Sequence, residues 1–165
     1  MFDVGDAVYH PANGAGVIAS LQRLPMLRKG QRFYRIRMVD GTNTVVMIPV
    51  KKADDIGLRP AISSRDAERV LQVLSEDPEE LPDDHKRRYQ VCGQKLAQAD
   101  TIQTAEVVRD LTWRQIQKDH LNAPGQRILK QALRLLTSEL AVAQGIALSE
   151  AQDQVNTVLR HQQPA

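Results

Sequence analysis

The sequence predicts an α+β chain in two parts: a small, strongly bent β-sheet or SH3-like barrel over residues 1–60, then an all-α domain of about five helices over 61–165. Three observations carry this. Before residue 60, glycine-punctuated runs are rich in β-branched residues; after it, apolar residues recur with the 3.6-residue period of a helix. Charge also changes character along the chain: residues 61–84 hold two cations and eight acids, whereas 85–134 hold ten cations and four acids. No internal repeat, low-complexity tract or long linker interrupts the order of parts.

The first half contains "DVGDAVYHPANGAGVIASL" and "RFYRIRMVDGTNTVVMIPV". In the second stretch Tyr34, Ile36 and Met38 alternate with Arg35 and Arg37 before Asp40-Gly41, a dipeptide suited to turns that need positive φ. Val45, Val46 and Ile48 supply the return strand, closed by Pro49, which cannot donate to a sheet ladder. The hairpin is cationic along one face, and Lys51 and Lys52 follow it. "NGAGV" is too short for a dinucleotide-binding fingerprint and reads as a turn.

The helices follow in order. Ser63, three residues before Asp66, caps a first helix that turns Ala67, Val70, Leu71 and Leu74 to one side. The acidic, proline-containing "SEDPEELPDD" ends it, and Asp83 or Asp84 caps a second helix, on which His85, Tyr89, Cys92 and Leu96 share a face. A third spans about Thr101 to Lys118, with Ala105, Val108, Leu111 and Ile116 inward and Trp113 a core residue at the edge of the stripe. Asn122 caps a fourth, whose buried stripe is Leu129, Ala132, Leu133, Leu136, Leu140 and Ala143, with Gly145 as its stop. Ser149 with Gln152 starts a short fifth helix that frays into a polar tail.

Chemistry narrows the function classes. No nucleophile beside a base, no carboxylate pair in a cleft and no phosphate loop is evident, so a catalytic reading is set aside. His10, His85, His120 and His161 lack metal-ligand spacing, and neither a metal nor a cofactor is expected. Cys92 is the one cysteine, which excludes an intramolecular disulfide framework and fits a reducing compartment. No run approaches the ~18 apolar residues of a membrane span, and no leader precedes "MFDVGDAVYHP", so the chain is expected to be cytoplasmic, without a membrane partner. No heptad seam appears, which points to a monomer.

The formal net charge is only +2, so nucleic acid is suggested by local patches and not by the whole chain. In "LPDDHKRRYQ", Lys86, Arg87 and Arg88 occupy the first turn of the second helix, where the macrodipole disfavours cations. Phosphate would favour them there; a solvated face balanced by the upstream acids is the alternative. On the fourth helix Arg127, Lys130 and Arg134 fall at i, i+3 and i+7, a positive ridge opposite the leucine stripe.

Four segments, "VGDAVYHPANGAGVIASL", "TVVMIPVKKADDIGLRP", "RRYQVCGQKLAQAD" and "AEVVRDL", resemble in order the CarD/CdnL family of bacterial transcription regulators. The resemblance runs from Phe2 to about Val142. It implies a Tudor-like N-terminal domain that docks on the RNA polymerase β subunit through a strand edge, here with Arg35, Arg37, Met47, Lys51 and Lys52. It also implies a helical domain that contacts promoter DNA at the upstream edge of the transcription bubble, here with His85, Lys86, Arg87, Arg88, Arg127, Lys130 and Arg134. The expected result is a regulator of open-complex formation, associated with the nucleoid through polymerase.

Two positions depart from the family pattern. His85 stands where relatives have a wedging tryptophan, and imidazole buries much less apolar area than indole. Met47 stands where relatives often present an arginine to the polymerase. Two alternatives remain open: a polymerase- or protein-binding adaptor whose helical half does not touch DNA, and a free-standing nonspecific DNA-binding protein.

Overall fold

The computed structural model describes residues 1–26 and 30–161. Five antiparallel strands, β1 (Ala7–His10), β2 (Gly14–Arg23), β3 (Arg32–Met38), β4 (Val45–Pro49) and β5 (Arg59–Pro60), form one sheet in the order β4-β3-β2-β1-β5. Tyr34, Ile36 and Met38 are buried as the alternation predicts, together with Val8, Ile18 and Ile48. A register shift between Ile18 and Ser20 bends the long strand β2, which is how so short a sheet curls over its own core. The chain reverses at Asp40-Gly41 as expected, but through a longer loop over residues 39–44, with Asp40 Oδ1 accepting from Thr42 N at 2.9 Å, Gly41 at φ +83° and Asn43 at φ +56°.

One local element escapes the pattern reading. After a 3₁₀ turn over Val50–Lys52, a four-residue helix α1 (Ala53–Ile56) precedes β5. Gly57 ends it at φ +86°, and Ala53 and Leu58 turn into the sheet's core. Such a stretch is too short to show a period.

Five longer helices follow: α2 (Ser64–Ser75), α3 (His85–Ala97), α4 (Thr101–Lys118), α5 (Ala123–Gln144) and α6 (Leu148–Arg160). The expected caps close three of them: Ser63 Oγ accepts from Asp66 N, Asp84 Oδ2 from Arg87 N and Asn122 Oδ1 from Gly125 N. The fifth helix differs from expectation. It is thirteen residues long and its N-cap is Ala147, so Ser149 lies inside the first turn; residues 162–165 of the expected tail lie outside the described residues. Ala67, Val70, Leu74, Cys92, Val108, Leu111, Leu136, Leu140 and Val155 make the helical core.

Helix α5 is buried on two sides, not one. Leu136 and Leu140 face the helical core, while Leu135 packs with Tyr9 and Ala15 of the sheet. Ser138 Oγ accepts from Ala15 N at 3.0 Å, and Gly14 passes so close that a Cβ there would sit 2.7 Å from that oxygen. Glu139, 1% exposed, is met by four donors: Arg59 Nη1 at 2.6 Å, Arg59 Nη2 at 3.1 Å, Thr101 Oγ1 at 2.7 Å and Ile62 N at 3.0 Å. The Arg59 guanidinium stacks 4.1 Å over the Tyr9 ring. Burial, with the Glu139 charge adding, pushes the Tyr9 hydroxyl up to about 12.

Candidate functional site

Two surfaces gather the residues singled out from the sequence. The first is the β3–β4 face. Register pairs Arg35 with Met47 and Arg37 with Val45, so two cations and two apolar side chains lie side by side on one face. Arg37, Val45 and Met47 are exposed and Arg35 is half-buried. Strand β4 is the sheet's edge, and Lys51 and Lys52 lie exposed in the turn just past it. An edge strand of this kind keeps main-chain donors and acceptors for a partner.

The second surface is the N-terminal end of α3. His85, Lys86 and Arg87 are exposed there, with the His85 ring centroid 6.5 Å from that of Tyr89. Arg88 departs from its neighbours. It is 6% exposed, its Nη1 donates to the carbonyls of Pro82 and Asp83 at 3.0 Å, and its guanidinium lies 5.1 Å from the Tyr89 ring centroid. The expected triple surface cluster is therefore a pair, because the third cation is used to close the loop before α3.

The fourth-helix ridge also divides. Arg127 and Lys130 are exposed, but Arg134 is half-buried and reaches across to the sheet, donating to Asn13 O at 3.3 Å and Ala12 O at 3.2 Å. Its guanidinium also lies 4.0 Å from Asp40 Oδ2. The side opposite the leucine stripe is thus solvent at the start of α5 and sheet further along.

Other groups join this end of the helical half without having been singled out. The Tyr89 hydroxyl hydrogen-bonds Asn122 Oδ1, which brings the starts of α3 and α5 together. The last turns of α4 then contribute Arg114 and Lys118, and His120 follows from the connecting loop. Their spacing in the sequence carries no signal, since they converge only once α3, α4 and α5 have packed. Trp113, expected as core, is half-buried and faces the acidic 76–84 segment, sharing a cleft with Glu79, Glu80 and Asp83.

That acidic segment is strapped to α4. Glu79 N donates to Asp110 Oδ1 at 3.0 Å, and buried Arg109 places its Nε 2.8 Å from the same oxygen. Arg109 Nη1 also donates to Val73 O at 3.3 Å. The arginine stays charged there: burial opposes the charge, but the Asp110 hydrogen bond and charge outweigh it and raise its pKa. Cys92 is buried nearby, and burial together with the Asp110 charge pushes its thiol up to about 11, which leaves it protonated and unreactive at neutral pH. Among the described residues no group of three His, Cys, Asp or Glu is placed to hold a metal ion, and no helix is long and apolar enough to cross a membrane.

Comparison with known proteins places this arrangement. Residues 2–62 match the profile described as "CarD-like/TRCF RID domain", and residues 69–156 match "CarD, C-terminal domain". A protein of Bacillus subtilis (strain 168), "Putative transcription factor YdeB", is 32% identical over 146 residues, spanning 88% of this chain and 94% of that protein.

Proposed function

Since the chain belongs to the CarD family of transcription regulators, we propose that it binds RNA polymerase and promoter DNA together and shifts the closed-to-open equilibrium at initiation. Residues 1–60 act as the polymerase-binding domain and dock on the β subunit through β4, with Arg35, Arg37, Met47, Lys51 and Lys52 around the edge. Residues 61–165 act as the DNA-binding domain at the upstream edge of the bubble. His85, Lys86, Arg87, Arg127 and Lys130 contact DNA; Arg88 and Arg134 support that surface from behind. The protein works without catalysis or cofactor, as a monomer in the bacterial cytoplasm.

The observation that carries this reading is that one chain holds both an open cationic sheet edge at β4 and cationic starts of α3 and α5, while the buried pair of Arg59 on β5 with Glu139 on α5 ties the sheet to the helices. A small cationic surface alone holds duplex DNA weakly and salt-dependently. Docking on polymerase raises its effective concentration at the promoter, so polymerase supplies the specificity. The adaptor reading gains some ground from Arg88 and Arg134, since two of the six expected phosphate-binding cations are occupied within the fold.

The test is the lifetime of open complexes formed by the cognate polymerase holoenzyme, challenged with competitor, with and without the protein. A longer lifetime supports the proposal. An unchanged lifetime, together with retention of the protein on polymerase, would favour the adaptor.

A further inference from the structure

A cavity of about 240 Å³ opens between α3, α4 and α5, lined by Arg88, Arg114, Lys118, His120, Leu121 and Asn122. Four of these six are basic types and none is acidic. Arg88 is buried, its Nη1 is occupied by two carbonyls, and its Nε, though without a hydrogen-bond partner, is itself closed off from solvent, so Arg88 offers the cavity its charge. The carboxylate that approaches Arg114 is Asp83, 3.7 Å away and 97% exposed, so water and salt screen it. His120 Nδ1 lies 3.1 Å from Lys118 O and donates to it, which holds the ring against the end of α4. The N-terminus of α5 also borders the cavity, through its cap Asn122.

A recess lined by four basic side chains and no carboxylate suits a multiply charged anion whose several oxygens each accept a hydrogen bond, with Arg114 and Lys118 shared between it and the adjoining cleft of Glu79, Glu80 and Asp83. We propose that the cavity is a phosphate-binding site, separate from the exposed Lys86–Arg87 and Arg127–Lys130 pairs. Either a backbone phosphate of bound DNA or a phosphorylated small molecule offers that chemistry. The DNA occupant rests on the function proposed above; the site itself does not.

The experiment is an NMR titration of the full-length ¹⁵N-labelled chain with inorganic phosphate at constant ionic strength. Wild type, R114Q/K118Q and the control R127Q/K130Q are compared. Arg88 is left intact, because its loss would release the loop it holds. The site predicts saturable shifts at the Leu121 and Asn122 amides in wild type and control, and affinity weakened roughly tenfold or more in R114Q/K118Q, as expected for lost charge-assisted hydrogen bonds. Equal or unsaturable shifts in all three proteins would overturn it.

A second arm measures binding to a short duplex across salt concentrations. If a DNA phosphate fills the site, R114Q/K118Q lowers the salt slope by about 1, and inorganic phosphate competes with the duplex. Saturable phosphate binding with an unchanged slope assigns the site to a free phosphate compound and overturns the DNA occupant. The first arm needs neither DNA nor polymerase, so failure of the proposed function and failure of the site are read separately.

Discussion

Arg59 and Glu139, eighty residues apart in sequence, meet in a two-pronged ion pair, Nη1 to Oε1 at 2.6 Å and Nη2 to Oε2 at 3.1 Å. The Glu139 side chain is 1% exposed and that of Arg59 28%. Removing one partner of a buried pair leaves the other charge stranded, at a cost of about 3–5 kcal/mol. Glu139→Ala is expected near the lower end, about 3 kcal/mol, because Arg59 keeps some contact with water. The double variant R59M/E139L should recover part of that loss, because no charge is stranded, but not all of it, because Ile62 N, Thr101 Oγ1 and Ala99 O lose their partners. Urea unfolding checks both, and a loss for Glu139→Ala as small as that of a surface pair would show that the junction contributes little.

His10 makes stability depend on pH. Burial lowers its pKa below the ordinary histidine value, and its Nδ1 accepts from Ala12 N at 3.1 Å and Asn13 N at 3.2 Å. The unfolded chain therefore takes up this proton first as pH falls. Stability is present above the unfolded value, roughly pH 6.5, and is lost as pH drops through it toward the folded value. His10→Asn, whose side-chain oxygen replaces the acceptor, should flatten that part of the profile. Parallel wild-type and variant curves between neutral and mildly acid pH would refute the assignment.

Gly14 takes φ +84° where β2 meets α5, and an added Cβ would lie 2.7 Å from Ser138 Oγ. Gly14→Ala combines an unfavourable backbone with displacement of the acceptor for Ala15 N, and should cost about 1–3 kcal/mol. Differential scanning calorimetry reads the loss as a lower melting midpoint, with no change in the far-ultraviolet signature of the helices.

Neighbouring cations should separate into two kinds. Lys86→Gln with Arg87→Gln removes exposed charge, so the salt slope for duplex binding should fall by about 2 while stability holds. Arg88→Gln should instead cost about 2 kcal/mol of stability, because its charged donor bonds two carbonyls. Salt-dependent binding and chemical unfolding of the same variants decide this.

The sheet face should act independently of the helix end. Arg35→Glu with Arg37→Glu reverses two charges beside the β4 edge. Retention on polymerase should fall while the salt slope for free DNA stays unchanged. Loss of both together would mean that the two surfaces are not separate.

Local rules reach far into this fold. Alternation of Tyr34, Ile36 and Met38 with arginines marks a half-buried strand, because successive side chains point to opposite faces. Ser63, Asp84 and Asn122 mark helix starts, because each can satisfy donors that a first turn leaves free. The pairing of Arg35 with Met47 was not within reach, since a two-residue turn at Asp40-Gly41 would pair Arg35 with Val46 and the longer loop that forms moves the register by one residue. Nor was helix α1, because four residues are too few for a period.

By itself the sequence determined the two-part architecture, the starts of α2, α3 and α5, the alternation that marks the sheet's core and the position of the basic stretch after Asp84, all of which rest on patterns within a few residues. Tertiary structure alone decided which polar residues are buried. Ser138 and Glu139 look like surface residues in a list, yet they lie inside because Ala15 N, Arg59 and Thr101 satisfy them from distant segments. Arg88 and Arg134 are ordinary members of cationic clusters until a loop and a turn offer carbonyls to them. Arg114, Lys118 and His120 become neighbours of Arg88 only when three helices converge. A charge's role follows from which groups lie within hydrogen-bond reach, and those partners are assembled by packing between segments far apart in the chain.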